Sequence, residues 1–166
     1  MENLKLLRLR RSVRSFQDKS IPKTELEKIV DAARFAPTAR NVQPWEFVVI
    51  IEKSRLRELA QLIENGRFLA QAAACIVVFS TETKYYLEDG VAATCNILLA
   101  ATALGIGSCW IAGDKKPYCD QVKYLINTPV GFKLISLIAL GYPQDQGVFK
   151  EAARRELKEL IHWEKF

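Results

Sequence analysis

From Gly90 to Gly113 the chain carries no charged residue. A run of that length could cross a bilayer. Thr94, Asn96 and Thr102 interrupt its apolar character, and Gly105-Ile106-Gly107-Ser108 ends the helical pattern. It therefore reads as a buried helix over Glu88 to Leu104, apolar nearly all round, followed by a short buried strand over Ser108 to Ile111. Such a helix must be covered on several sides. A central position in the core would do this, and so would a homodimer interface.

The rest of the chain supplies partners for it. A short helix fits residues 2 to 9, with Leu4, Leu7 and Leu6 turned inward, and a basic loop covers Arg10 to Lys19. Leu26, Ile29, Val30 and Ala33 share one helical face. Thr24 and Glu27 fit a capping box, Pro22 allows an earlier start, and Pro37 stops the helix. Phe47–Ile51, Cys75–Phe79 and Leu134–Leu140 are apolar runs suited to buried strands. Charged helices are expected near Ser54–Glu64 and Tyr118–Ile126. An amphipathic helix is expected over Glu151–Trp163, with Leu157, Leu160 and Ile161 on one face. Strands alternating with helices point to an α+β or α/β domain.

At 166 residues this is one domain, 1-166, large enough to bury about 70% of its unfolded surface. No repeat, linker or low-complexity segment divides it, and no signal peptide or membrane span is read. The net charge of +5 favours an anionic partner but falls short of a dedicated nucleic-acid binder. The cysteines, Cys75, Cys95, Cys109 and Cys119, lack C-x-x-C spacing, and His162 is the one histidine. A zinc site, a thioredoxin-like motif and Ser-His-Asp chemistry are thereby disfavoured. Cys75, Cys95 and Cys109 read as buried, whereas Cys119 has a more polar setting. No phosphate loop, nucleophile elbow or H-E-x-x-H is present, so an enzyme of this sequence needs a cofactor to bring reactivity.

Four segments can carry chemistry. Arg10-Arg11-Ser12-Val13-Arg14 combines donor forks suited to phosphate with a hydroxyl. A solvated basic loop is the plainer reading, and Val13 and Phe16 favour a folded one. Ala36-Pro37-Thr38-Ala39-Arg40-Asn41-Val42-Gln43-Pro44-Trp45 joins rigid prolines to two amides able to match the edge of a heteroaromatic ring. It could equally be a loop whose amides satisfy its own backbone. Gly105-Ile106-Gly107-Ser108-Cys109-Trp110 begins like a dinucleotide fingerprint, but Trp110 replaces the last glycine and the helix precedes the strand, so a Rossmann site is rejected. A helix cap or a close approach to a ligand both remain open. Lys150, Arg154 and Arg155 could meet an anion or simply start a solvated helix.

Taken in order, these segments resemble the nitroreductase family of flavin proteins. Arg10-Arg11-Ser12-Val13-Arg14-Ser15-Phe16 resembles its N-terminal R-R-S-x-R-x-F signature. Ala36 to Trp45 resembles A-P-S-x-x-N-x-Q-P-W, with Thr38 in place of serine. Leu104 to Ile111 resembles L-G-x-G-x-x-W, and Leu140-Gly141-Tyr142-Pro143 followed by Arg154 resembles the C-terminal end. The resemblance implies an α+β fold with a central, mostly antiparallel sheet flanked by helices, a cytoplasmic homodimer, and FMN at the dimer interface. By matching position, Arg10, Arg11, Ser12 and Arg14 would hold the phosphate and ribityl chain, with Arg154 joining them. Pro37, Thr38, Ala39, Asn41 and Gln43 would line the ring, and Gly107 and Ser108 would pass near it. NADH or NADPH would supply electrons for an electron-poor acceptor such as a nitroaromatic or quinone, with no catalytic side chain, no metal, no nucleic acid and no membrane involved. The connection Ser80 to Leu87 is shorter than in many relatives, which opens the alternative of a flavin-binding module or sensor without turnover. Tyr85 and Tyr86 lie in it and could stack on a substrate.

Overall fold

The computed structural model describes residues 2–166. Four strands form one sheet in the order β1-β2-β4-β3, every neighbouring pair antiparallel. They are β1 (Trp45–Ile50), β2 (Ala74–Thr81), β3 (Gly107–Ala112) and β4 (Phe132–Gly141). The helices are α1 (Glu2–Leu9), α2 (Lys23–Arg34), α3 (Lys53–Leu62), α4 (Tyr86–Ala103) and α5 (Cys119–Leu125).

β2 and β4 read as unbroken apolar runs because the sheet is covered on both faces. Ile76, Val78, Ile138 and Leu140 pack with Leu26, Ile29 and Ala33 of α2 and Ile97, Leu98 and Ala101 of α4. The alternate residues Cys75, Val77, Phe79 and Leu137 face Leu56 and Leu59 of α3, Leu69 of a 3₁₀ segment over Glu64–Gln71, and Val122 of α5. α4 crosses β4 closely. The Thr94 hydroxyl donates to the Gly90 carbonyl at 2.8 Å and meets the Ser136 hydroxyl at 2.7 Å, so Ser136 supplies the proton of that second bond. α4 ends where Gly105 N–H bonds the Thr102 carbonyl and Ile106 N–H bonds the Ala101 carbonyl. This left-handed cap turns the chain straight into β3.

Five expectations are corrected. Leu4 and Leu7 of α1 are exposed rather than turned inward. The apolar run Phe47–Ile51 is only partly buried, with Val49 and Ile51 exposed. The capping box does not form: α2 begins at Lys23 behind Pro22, with no side-chain cap bond. Cys95 is exposed, because one face of α4 has nothing packed on it within the chain. The Glu151–Trp163 helix is absent. That stretch is irregular, with a single 3₁₀ turn at Leu157–Glu159, and Leu157, Leu160 and Trp163 are exposed. Short helices depend on burying an apolar face, and within the single chain this face meets nothing.

Candidate functional site

The arginine loop is stitched to one end of the sheet. Val13 N–H bonds the Ser108 carbonyl at 2.9 Å, and Ser12 and Ser108 form an isolated parallel bridge. Farther on, Gln17 N–H bonds the Tyr142 carbonyl at 2.9 Å, and Gln144 N–H bonds the Ser15 carbonyl at 3.1 Å. Val13 and Phe16 are the buried anchors. They fit because Gly107 and Gly141 lie beneath them. A Cβ on Gly107 would come within 2.9 Å of Val13, and one on Gly141 within 2.6 Å of Phe16.

With its apolar residues anchored inward, the loop leaves Arg14 and Ser12 exposed and Arg10 and Arg11 half-buried. Among the described residues no carboxylate pairs with Arg10, Arg11 or Arg14. The Arg14 guanidinium instead lies 5.9 Å from the Phe68 ring centroid. Burial pushes the Cys109 thiol up, while the charges of Arg14 and Arg10 and the Ser12 hydroxyl pull it back. The Ser108 hydroxyl next to it in sequence is buried with no hydrogen-bond partner. Guanidinium groups that no described carboxylate neutralises, with the exposed Ser12 hydroxyl in the same loop, have the chemistry that suits an anion.

The second loop, between α2 and β1, is tightly built. Thr38 donates its hydroxyl proton to Asp89 Oδ2 at 2.9 Å, and Ala39 N–H donates to Asp89 Oδ1 at 3.2 Å. The same Thr38 oxygen accepts from Gln43 N–H at 3.1 Å. Between these ties Arg40, Asn41 and Gln43 all have left-handed backbones, with φ of 56°, 56° and 52°. Each such residue costs about 1–2 kcal/mol, and bonds to a carboxylate return about 1.5–3 kcal/mol apiece. The loop is held against its local preference. The Gln43 side-chain amide donates to Asn41 Oδ1 at 3.1 Å. Among the described residues this leaves Asn41 Nδ2 and Gln43 Oε1 unpartnered on an exposed face. Pro37 is exposed beside them, with Thr38 and Ala39 half-buried.

The two loops do not meet within one chain. The arginine loop sits at Ser108, which pairs with Leu140 of β4. The amide loop enters β1 at Trp45, which pairs with Ser80, which in turn pairs with Lys133 of β4. Leu140 and Lys133 are seven residues apart on one strand, roughly 23 Å at the usual rise. Gly107 and Ser108 belong to the arginine end. Arg154 lies in the exposed tail, where its guanidinium donates to the Ala153 carbonyl at 2.9 Å. Arg155 is tied to Glu159, 3.6 Å away.

Sequence reasoning passed over Asp89, a buried acid in the first turn of α4. A signal existed: it is the last charge before the uncharged run, on a helix otherwise short of ionisable residues. It also passed over Asp114, which accepts from the Tyr86 hydroxyl at 3.2 Å and, with burial, keeps that phenol above its ordinary range. Cys119 is half-buried, its thiol raised by burial. Among the described residues no cluster could hold a metal ion, and no helix is long and apolar enough to cross a membrane.

Comparison with known proteins agrees along the whole chain. Residues 7–87 match the model described as "Nitroreductase family", and residues 54–166 match "Putative TM nitroreductase". The chain is 38% identical to a "Putative NADH dehydrogenase/NAD(P)H nitroreductase" of Archaeoglobus fulgidus, over 99% of each. Among solved structures, an FMN-dependent nitroreductase of Clostridium difficile is 29% identical, covering 98% of this chain and 99% of that one, with a TM-score of 0.88. A Desulfovibrio desulfuricans protein described as a putative nitroreductase in complex with FMN is 28% identical, covering 100% and 98%, with a TM-score of 0.83.

Proposed function

Because the chain belongs to the nitroreductase family, we propose that it is an FMN-dependent oxidoreductase working as a homodimer. The observation that carries this reading is the separation of its two loops. An anion-binding arginine cluster and a pair of free amides suit the two ends of one flavin nucleotide, yet they stand at opposite ends of a single sheet. A two-fold pairing can bring the arginine loop of one copy to the amide loop of the other. The exposed side of α4 at Cys95, the exposed Leu4 and Leu7 of α1 and the exposed apolar tail all support pairing of two copies.

The residues present fit the nucleotide. Arg10, Arg11 and Arg14, unneutralised by any described carboxylate, and Ser12 would hold the phosphate and ribityl chain. Gly107 and Ser108 would pass near the flavin, by their place at the strand end to which the arginine loop is bonded. Pro37, Thr38, Ala39, Asn41 and Gln43 would line the ring, with the free amide groups of Asn41 and Gln43 turned to its polar edge. Arg154 reaches the phosphate in this reading only when the tail docks on a second copy. When bound there, FMN would supply the redox chemistry between NADH or NADPH and an electron-poor acceptor such as a nitroaromatic or a quinone. The chain's own contribution is to bind and orient the ring and to exclude water around it, with no side-chain acid or base.

The test is an absorption spectrum of freshly purified protein, repeated after anaerobic addition of NADH and then NADPH. A flavin spectrum that bleaches with either donor and recovers with a quinone supports the enzyme. Protein that is colourless and takes up no added FMN overturns it. A flavin spectrum indifferent to both donors supports the second reading, a binding module without turnover. The observation that favours that alternative is the four-residue link between β2 and α4, which leaves little chain to cover a substrate.

A further inference from the structure

We propose that Asp89 is the positioning residue for the amide loop, fixing Asn41 and Gln43 in the arrangement that meets the ring; the inference rests on the flavin reading above. Asp89 belongs to the first turn of α4, where an acid favours the helix dipole. That role alone would leave it in water, as it leaves Glu88. Asp89 is instead 5% exposed, and no cation pairs with it among the described residues. A buried carboxylate is costly unless its oxygens are occupied. Both of them are occupied by the loop, fifty residues earlier in the chain.

The bonds form a relay with one polarity. Thr38 gives its only hydroxyl proton to Asp89, so its oxygen is left to accept from Gln43 N–H. The carboxylate thereby holds both ends of the segment, at Ala39 and, through Thr38, at Gln43. Asn41 N–H and Val42 N–H close back on the Thr38 and Ala39 carbonyls inside it. Three left-handed residues in a short span do not persist by their own preference. Removing the carboxylate, or the Thr38 hydroxyl, releases the strain. Asp89→Asn leaves one accepting oxygen where there were two, so either the Thr38 hydroxyl or the Ala39 N–H loses its acceptor. Thr38→Ser keeps the hydroxyl and the relay.

The test uses the full chain in two measurements. The first is amide hydrogen exchange without added flavin. In Asp89→Asn and in Thr38→Val, the amides of Ala39, Asn41, Val42 and Gln43 should exchange at least tenfold faster, with β2 and β4 protection unchanged and Thr38→Ser matching the unmodified chain. Loop exchange unaltered in both variants overturns the proposal. So does loss of sheet protection together with the loop, which would make Asp89 a residue that holds the fold.

The second measurement compares dissociation constants for FMN and for riboflavin, which has the ring without the phosphate. Asp89→Asn and Thr38→Val should weaken both by a similar factor of about ten or more and shift the bound flavin's visible spectrum. Arg14→Ala should weaken FMN alone. A loosened loop with undiminished binding of both flavins overturns the link to the ring. If the unmodified chain binds neither flavin, the flavin reading fails, and the exchange data still decide whether Asp89 sets the loop.

Discussion

Arg14 exposes its guanidinium at the rim of the arginine loop, 5.9 Å from the Phe68 ring and with no carboxylate partner among the described residues. A charge-assisted bond from it to phosphate is worth about 1.5–3 kcal/mol, so Arg14→Ala should raise the FMN dissociation constant roughly 10–150-fold. Titration followed by flavin fluorescence reads this directly. Cys75 shows the opposite environment. It is fully buried on β2, and burial pushes its thiol up to about 12. Its neutral form is the one that folding favours, so stability is fully present below the ordinary value of 9.0. Above that pH the unfolded chain ionises while the folded one does not. Stability should therefore fall between pH 9 and 12 by about 1.4 kcal/mol per unit. Urea unfolding at pH 9.5 and 10.5 should show the steeper loss in the unmodified chain than in Cys75→Ala. At this scale the arginines, amides and small residues of the two loops were legible as candidates, because their side chains advertise donors and acceptors. Asp89 was not, because its meaning lies in what it touches fifty residues away.

Among the elements, the apolar runs of β2 and β4 and the inward faces of α2 and α4 could be read from local pattern, since each is buried by neighbours within the chain, whereas the equally apolar run at β1 leaves Val49 and Ile51 exposed. The Glu151–Trp163 segment has helical periodicity as well, but periodicity states only that a face wants cover. Here the single chain offers none, and the helix does not form. The 3₁₀ segment over Glu64–Gln71 and the bridges at Ser12 and Phe16 have no local signature, since tertiary contacts make them. The arginine loop depends on one such contact. Gly107→Ala would drive a Cβ to 2.9 Å from the stiff, branched Val13 side chain. Overpacking of this kind costs about 1–3 kcal/mol, or roughly 2–12 °C in Tm for a chain of this size. Adding Val13→Ala should return little of that loss in a thermal melt, because alanine keeps the Val13 Cβ that lies 2.9 Å from the added group.

At the level of the whole molecule, the strand pairing places the arginine loop and the amide loop at opposite ends of β4. With each site shared between two copies, as proposed, activity becomes a property of the pair and can be inherited in halves. At FMN concentrations well below the weakened dissociation constants, a subunit carrying Arg14→Ala and a subunit carrying a broken amide loop each bind too little flavin to act with their own kind. Together they make mixed dimers in which one site collects both lesions and the other collects none. Random reassortment makes half the dimers mixed, so about a quarter of all sites should be whole. Two inactive preparations, unfolded and refolded together, should then regain about a quarter of the activity, whereas a site confined to one chain would regain nothing. The same arithmetic gives a defective copy a way to be rescued by a differently defective neighbour, so harm done to one gene copy would depend on which end of the sheet the other had lost.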